Sequence, residues 1–144
     1  SDFEQVKLLD RKQIPQGVSI SCGAYDSIDT DLQRVEMDDR LEPVAQFPNN
    51  WYKESTENDT FVMKITCRAL FLINKDSAAI DVGKADVYVD GKYKLTADPH
   101  KNGWTHCNPL LVFSEEQAEE HTVEIRMAAG DEEKKYTILG FGYV

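Results

Sequence analysis

The chain has 144 residues, of which 41% are hydrophobic and 10% aromatic, enough for one packed core in one domain and too much for a disordered segment. Its 26 acidic and 16 basic residues give a formal charge of −10, a field that repels phosphate backbones and anionic lipid, so nucleic acid and membrane are excluded as expected partners. No apolar run approaches the roughly 20 residues of a membrane span.

Ser1-Asp2 opens the chain without methionine and without a basic, then apolar, leader, so a cut or processed start is expected, with any secretion signal lying elsewhere. An extracellular or cell-surface setting is the favoured compartment. Three cysteines, Cys22, Cys67 and Cys107, are too few and of the wrong parity for a disulfide framework. One bridge among them stays open, and Cys67 reads as a small buried hydrophobe.

Strands are expected first at 6–9, 18–22 and 32–37. A loop-like stretch, Phe47-Pro48-Asn49-Asn50-Trp51-Tyr52, and a polar loop over 53–59 follow. Period-two alternation then sets in. In Thr60-Phe61-Val62-Met63-Lys64-Ile65-Thr66, residues Phe61, Met63 and Ile65 share one face. Residues 69–73 are apolar on both faces, which predicts a central strand covered on each side. In Lys84-Ala85-Asp86-Val87-Tyr88-Val89, the residues Ala85, Val87 and Val89 point inward. Asp90-Gly91 then joins this strand to Lys92-Tyr93-Lys94-Leu95, and that dipeptide suits a tight hairpin turn whose two residues both need positive φ.

A second loop, 97–106, holds Pro99, His100, Asn102, Gly103 and Trp104. A strand is expected at 109–113, and Ser114 with Gln117 suggests one capped helical turn over 114–120. His121-Thr122-Val123-Glu124-Ile125-Arg126-Met127 alternates again, and 136–143 closes the set. Many short strands and almost no helix predict an all-β, antiparallel sandwich over residues 1–144, with no linker or repeat to divide it.

Chemistry is sparse. There is no Gly-x-Ser-x-Gly elbow and no phosphate-binding glycine loop; Gly140-Phe141-Gly142 lacks a following helix and reads as close packing or a bulge near a sheet edge. His106 and Cys107 are adjacent on an extended segment and point apart, which works against a nucleophile pair. No catalytic residue is assigned, and a stand-alone esterase is disfavoured for want of a nucleophile motif. His100, His106 and Cys107 match no zinc spacing. No cofactor or metal is assigned, although Asp26, Asp29 and Asp31 offer oxygen ligands for a structural calcium against the plainer reading of surface turn acids.

The exposed aromatics carry the functional expectation. Trp104, in the Gly103-Trp104 loop beside His100 and Asn102, suits stacking on a sugar ring with polar neighbours for its hydroxyls. Trp51 is the second candidate, though plugging one end of the sandwich is the favoured alternative for it. Tyr88 and Tyr93, opposite one another across the hairpin, make either a stacking platform or only a stabilising pair.

Phe47-Pro48-x-x-Trp51, the stretch from Lys84 to Lys92 around "VDG", Gly103-Trp104, Glu120-His121-Thr122-Val123-Glu124-Ile125 and Tyr136-Thr137-Ile138-Leu139-Gly140 together give a pattern over roughly residues 43–144. It resembles the β-sandwich (jelly-roll) accessory domain of bacterial SGNH/GDSL-type hydrolases and carbohydrate esterases. The resemblance implies a galactose-binding-like jelly roll that assists a neighbouring hydrolase domain by binding carbohydrate or by bracing it. The hydrolase's own "GDS" and Asp-x-x-His blocks are absent, so a non-catalytic companion is expected. The rival expectation is a structural domain that packs on the catalytic neighbour without affinity for sugar, marked by an exposed apolar patch. Trp104 and His121 match the family pattern, with His121 expected to open a strand and bond a turn backbone.

Overall fold

A computed structural model describes residues 5–31, 47–101 and 109–144. Eight strands follow in order: β1 Lys7–Leu9, β2 Ser19–Ser21, β3 Trp51–Lys53, β4 Thr60–Asn74, β5 Ala85–Val89, β6 Lys92–Ala97, β7 Pro109–Met127 and β8 Tyr136–Tyr143. All named pairings are antiparallel, and the main path runs β1-β8-β4-β7-β5-β6, with β2 on β4 and β3 on β8.

Two strands are long enough to serve both layers of the sandwich. The first part of β4, from Thr60 to Cys67, pairs with the second part of β7 and lies with β2, β5 and β6. The second part of β4, from Leu70 to Asn74, pairs with β8, which carries β1 and β3 on its other side. The layers meet through rings: Phe61 and Phe141 stack at 5.8 Å between centroids, and Trp51 packs edge-on against Phe61 at 5.4 Å. Around them sit Leu9, Tyr25, Met63, Ile65, Leu70, Leu72, Val87, Val123, Ile125 and Ile138, all sealed from solvent.

The switch between layers is a bulge. Cys67 faces Glu119 and Ala69 faces Ser114, so Arg68 alone on β4 stands against residues 115–118 on β7. The inward parity of β4 also changes across the bulge. Phe61, Met63, Ile65 and Cys67 point inward before it, and Leu70, Leu72 and Asn74 after it.

Several sequence expectations change here. The segments expected at 60–66 and 69–73 are one strand, as are 109–113 and 121–127. The helical turn expected over 114–120 is part of β7: cross-strand pairing of Ser114, Glu119 and Glu120 with β4 prevails over polar local composition. Trp51 lies on a strand, β3, rather than in a loop, because Trp51, Tyr52 and Lys53 register against Ile138, Thr137 and Tyr136. Central β4 is covered on both faces only in part, since Phe71 and Ile73 remain half-exposed. Gly140 and Gly142 lie on β8, which pairs on both sides, so close packing explains them: a Cβ at Gly140 would stand 3.0 Å from the Leu9 carbonyl oxygen. The strand expected at 32–37 lies outside the described residues.

The Asp90-Gly91 turn forms as expected, with φ of 51° and 80° at its two residues.

Candidate functional site

A polar cleft of about 200 Å³ opens where β4 ends and β5 and β8 begin. Asp29, Asp31, Tyr52, Lys75, Asp81 and Thr137 line it, with Lys135 at its rim. The loop that carries Asp29 is fixed from below. Arg11 donates to the carbonyls of Tyr25, Ser27 and Asn50, and buried Asn50 accepts from the Asp29 amide at 2.8 Å while donating to the Asp29 carbonyl at 3.1 Å. The Asp29 carboxylate is therefore aimed at the cleft floor, where it accepts from Thr137 Oγ1 at 2.7 Å and pairs with Lys75 Nζ at 3.1 Å.

Lys75 also donates to the Asp31 carbonyl, and Lys135 pairs with Asp81 at 3.4 Å. Burial raises the Tyr52 phenol above its ordinary range against the pull of Lys135, so Tyr52 is a neutral donor at pH 7. The lining is a set of alternating donors and acceptors around a neutral phenol, chemistry that suits hydroxyl groups rather than an anion or an apolar ring.

Of the expected contact residues, His100 reaches this neighbourhood. Its Nε2 lies 2.6 Å from the carbonyl oxygen of Val82, a lining residue, and the Pro99 carbonyl accepts from the Ser77 amide, so the loop that leads to Asn102 and Trp104 is tied to the cleft wall. Asn102 and Trp104 themselves, with His106 and Cys107, lie outside the described residues. Trp51 is in the core at 3% exposure, where only the plugging role is open to it. Asp29 spends its charge on Lys75 and Thr137, while Asp26 lines a separate hollow with Glu54 and Glu57; the three acids expected to share a calcium are not brought to one point.

Tyr88 and Tyr93 are cross-strand partners whose rings meet edge to face at 5.9 Å, not side by side as a platform would need. The Arg126 guanidinium stands 3.8 Å over the Tyr88 ring. Tyr93, 55% exposed, presents its ring to solvent, and its hydroxyl bonds Thr96, which in turn donates to Asp86.

His121 does not open a strand; it sits inside β7, buried, and bonds a turn side chain rather than turn backbone. Nδ1 is 2.6 Å from Asp90 Oδ2 and Nε2 is 2.6 Å from Glu115 Oε1. Burial pulls its pKa down, but the bonds to Asp90 and Glu115 outweigh this and hold it above the usual imidazole value. Cys22 and Cys67 are free thiols, and burial, helped by Glu115, pushes Cys67 up to about 11.

The cleft was hidden from sequence reasoning because its groups come from four separated stretches.

No family model matches the chain, and no curated protein matches it. Its fold is similar to that of the two-domain esterase CEX, active on acetylated mannans, with a TM-score of 0.67 and 15% identity over 97% of this chain and 36% of that one. A structure of that esterase co-crystallised with mannopentaose gives a TM-score of 0.66 at the same identity and coverage. A family two carbohydrate esterase from Cellvibrio japonicus gives 0.51 at 11% identity, over 88% of this chain and 32% of that one. The chain thus spans about a third of the length of these esterases.

Proposed function

We propose that this chain is a non-catalytic carbohydrate-binding or accessory module of a carbohydrate-active esterase, with an SGNH-type hydrolase as its catalytic neighbour. The observation that carries this is the likeness of nearly the whole chain to about a third of two-domain carbohydrate esterases. The polar cleft supports a hydroxyl-rich ligand, and the tie between His100 and Val82 supports His100 as a contact residue at its edge. Exposed Tyr93 is a further stacking surface. Affinity would be weak, since a few sugar rings bury little area. The test is a fluorescence titration with mannopentaose, acetylated mannan and a panel of plant and bacterial polysaccharides; a folded protein silent to all of them rejects sugar binding.

The second reading, a module that packs on its catalytic neighbour without affinity for sugar, is favoured by a different feature. Val6, Phe71, Ile73, Pro109 and Gly142 line a wholly apolar groove, and Leu111 nearby on β7 is 52% exposed. On that reading Phe71→Ala weakens association with the catalytic domain and leaves sugar titrations flat.

A further inference from the structure

At the far end of β5 from the cleft, the β7 bulge gathers three side chains that sequence spacing alone would scatter. His121 and Glu119 are two apart on an extended strand and share its face. Glu115 would stand well up the strand from them, but residues 115–118 bulge against Arg68 and carry it back onto the imidazole. One nitrogen of His121 and one carboxylate oxygen each of Glu115 and Glu119 lie within 4.8 Å of one another.

The imidazole is also set up as a metal ligand. Asp90 Oδ2 holds Nδ1 at 2.6 Å, and the same carboxylate is itself fixed by the Thr122 amide at 2.9 Å. That is the carboxylate–histidine arrangement that fixes the tautomer and leaves Nε2 as the coordinating atom. Nε2 faces Glu115, with Glu119 beside it, and Phe113 packs against the ring at 4.6 Å. A zinc ion with bonds of about 2.0–2.1 Å needs its ligand atoms slightly over 3 Å apart, a spacing that small side-chain rotations of Glu115 and Glu119 reach.

We propose that His121 Nε2, Glu115 and Glu119 form a binding site for a divalent transition metal, with Zn²⁺ the best match to one imidazole and two carboxylates and with solvent completing the shell. The ion takes the place of the proton now shared between Nε2 and Glu115, and that proton leaves to solvent. Asp90 is the positioning residue. The site clips the β7 bulge to the tip of the β5–β6 hairpin.

The test is isothermal titration of the full chain with ZnCl₂, alongside thermal melts, for the unaltered protein, Glu119→Gln, Glu115→Gln and His100→Ala. The expected result is one saturable Zn²⁺ per chain and a melting temperature that rises with Zn²⁺. Glu119→Gln and Glu115→Gln should each weaken binding at least tenfold, and His100→Ala should leave it unchanged. Glu119 is exposed, so its variant keeps the metal-free melting temperature and separates lost binding from lost fold. No saturable binding, binding that survives both glutamate substitutions, or equal competition by Ca²⁺ overturns the proposal.

Discussion

At the residue scale, Gly91 and Asp131 illustrate two ways a turn is held. Gly91 has φ +80° with open space around the position of a Cβ, so a substitution there meets backbone strain and nothing else. Gly91→Ala should cost about 1–2 kcal/mol in urea unfolding, and Gly91→Val more, because a β-branched residue resists that conformation further. Asp131 holds the turn before β8 through its carboxylate, which accepts from the Lys84 amide at 2.8 Å and pairs with Lys134 at 3.3 Å. The backbone bond from Lys84, with Lys134 added, lowers its pKa below the ordinary carboxylate value. A carboxylate lowered in the folded state contributes stability that is complete above its unfolded pKa and is lost as pH falls through the folded one. The stability difference between the unaltered protein and Asp131→Asn should therefore be constant from neutral pH down to about 5 and shrink below about 4, as read from urea midpoints at each pH. Lys53, sealed from solvent, is a third case: its ammonium donates to the carbonyls of Ser55, Glu132 and Lys134 at 3.0, 3.1 and 2.8 Å. Lys53→Met leaves those carbonyls without their donor and should destabilise the fold by about 1–3 kcal/mol.

At the element scale, the bulge explains what sequence patterning delivered and what it missed. Alternation in 60–66, 84–89 and 121–127 was legible because each run has one buried and one wet face, and the Asp90-Gly91 turn was legible because its two residues are chosen by backbone conformation. Residues 114–120 were not, since a bulged strand with six exposed or half-exposed polar side chains carries no periodicity of two. Trp51-Tyr52-Lys53 was missed for a related reason: a lysine on the inward face, its ammonium hydrogen-bonded to three carbonyls, hides the pattern of β3. Parity across the bulge can be measured directly. Leu70, fully buried, and Phe71, half-buried in the groove, sit on opposite faces of β4. Leu70→Ala should cost about 2–5 kcal/mol, as a truncated core side chain does. Phe71→Ala should cost distinctly less despite removing the larger side chain. The reverse order in urea unfolding would place the inward face wrongly.

At the scale of the whole molecule, the same ring that joins the layers bears on the ligand question. Trp51 bridges Phe61 and Phe141 between the two halves of the sandwich, so it is withdrawn from any sugar. Of the expected contact residues that the structure describes, only His100 lies beside the cleft, because the cleft's acids, lysines and phenol converge from β3 and three loops whose mutual approach is decided by packing. With two tryptophans in the chain, the assignment of a fluorescence signal can be made by substitution. Trp51→Phe keeps an aromatic ring in the core and should leave a mannopentaose-induced change in emission intact while lowering the melting temperature. Trp104→Phe should abolish the change. If instead the response disappears with Trp51 and survives loss of Trp104, the sugar acts through the core, and the expected role of Trp104 fails.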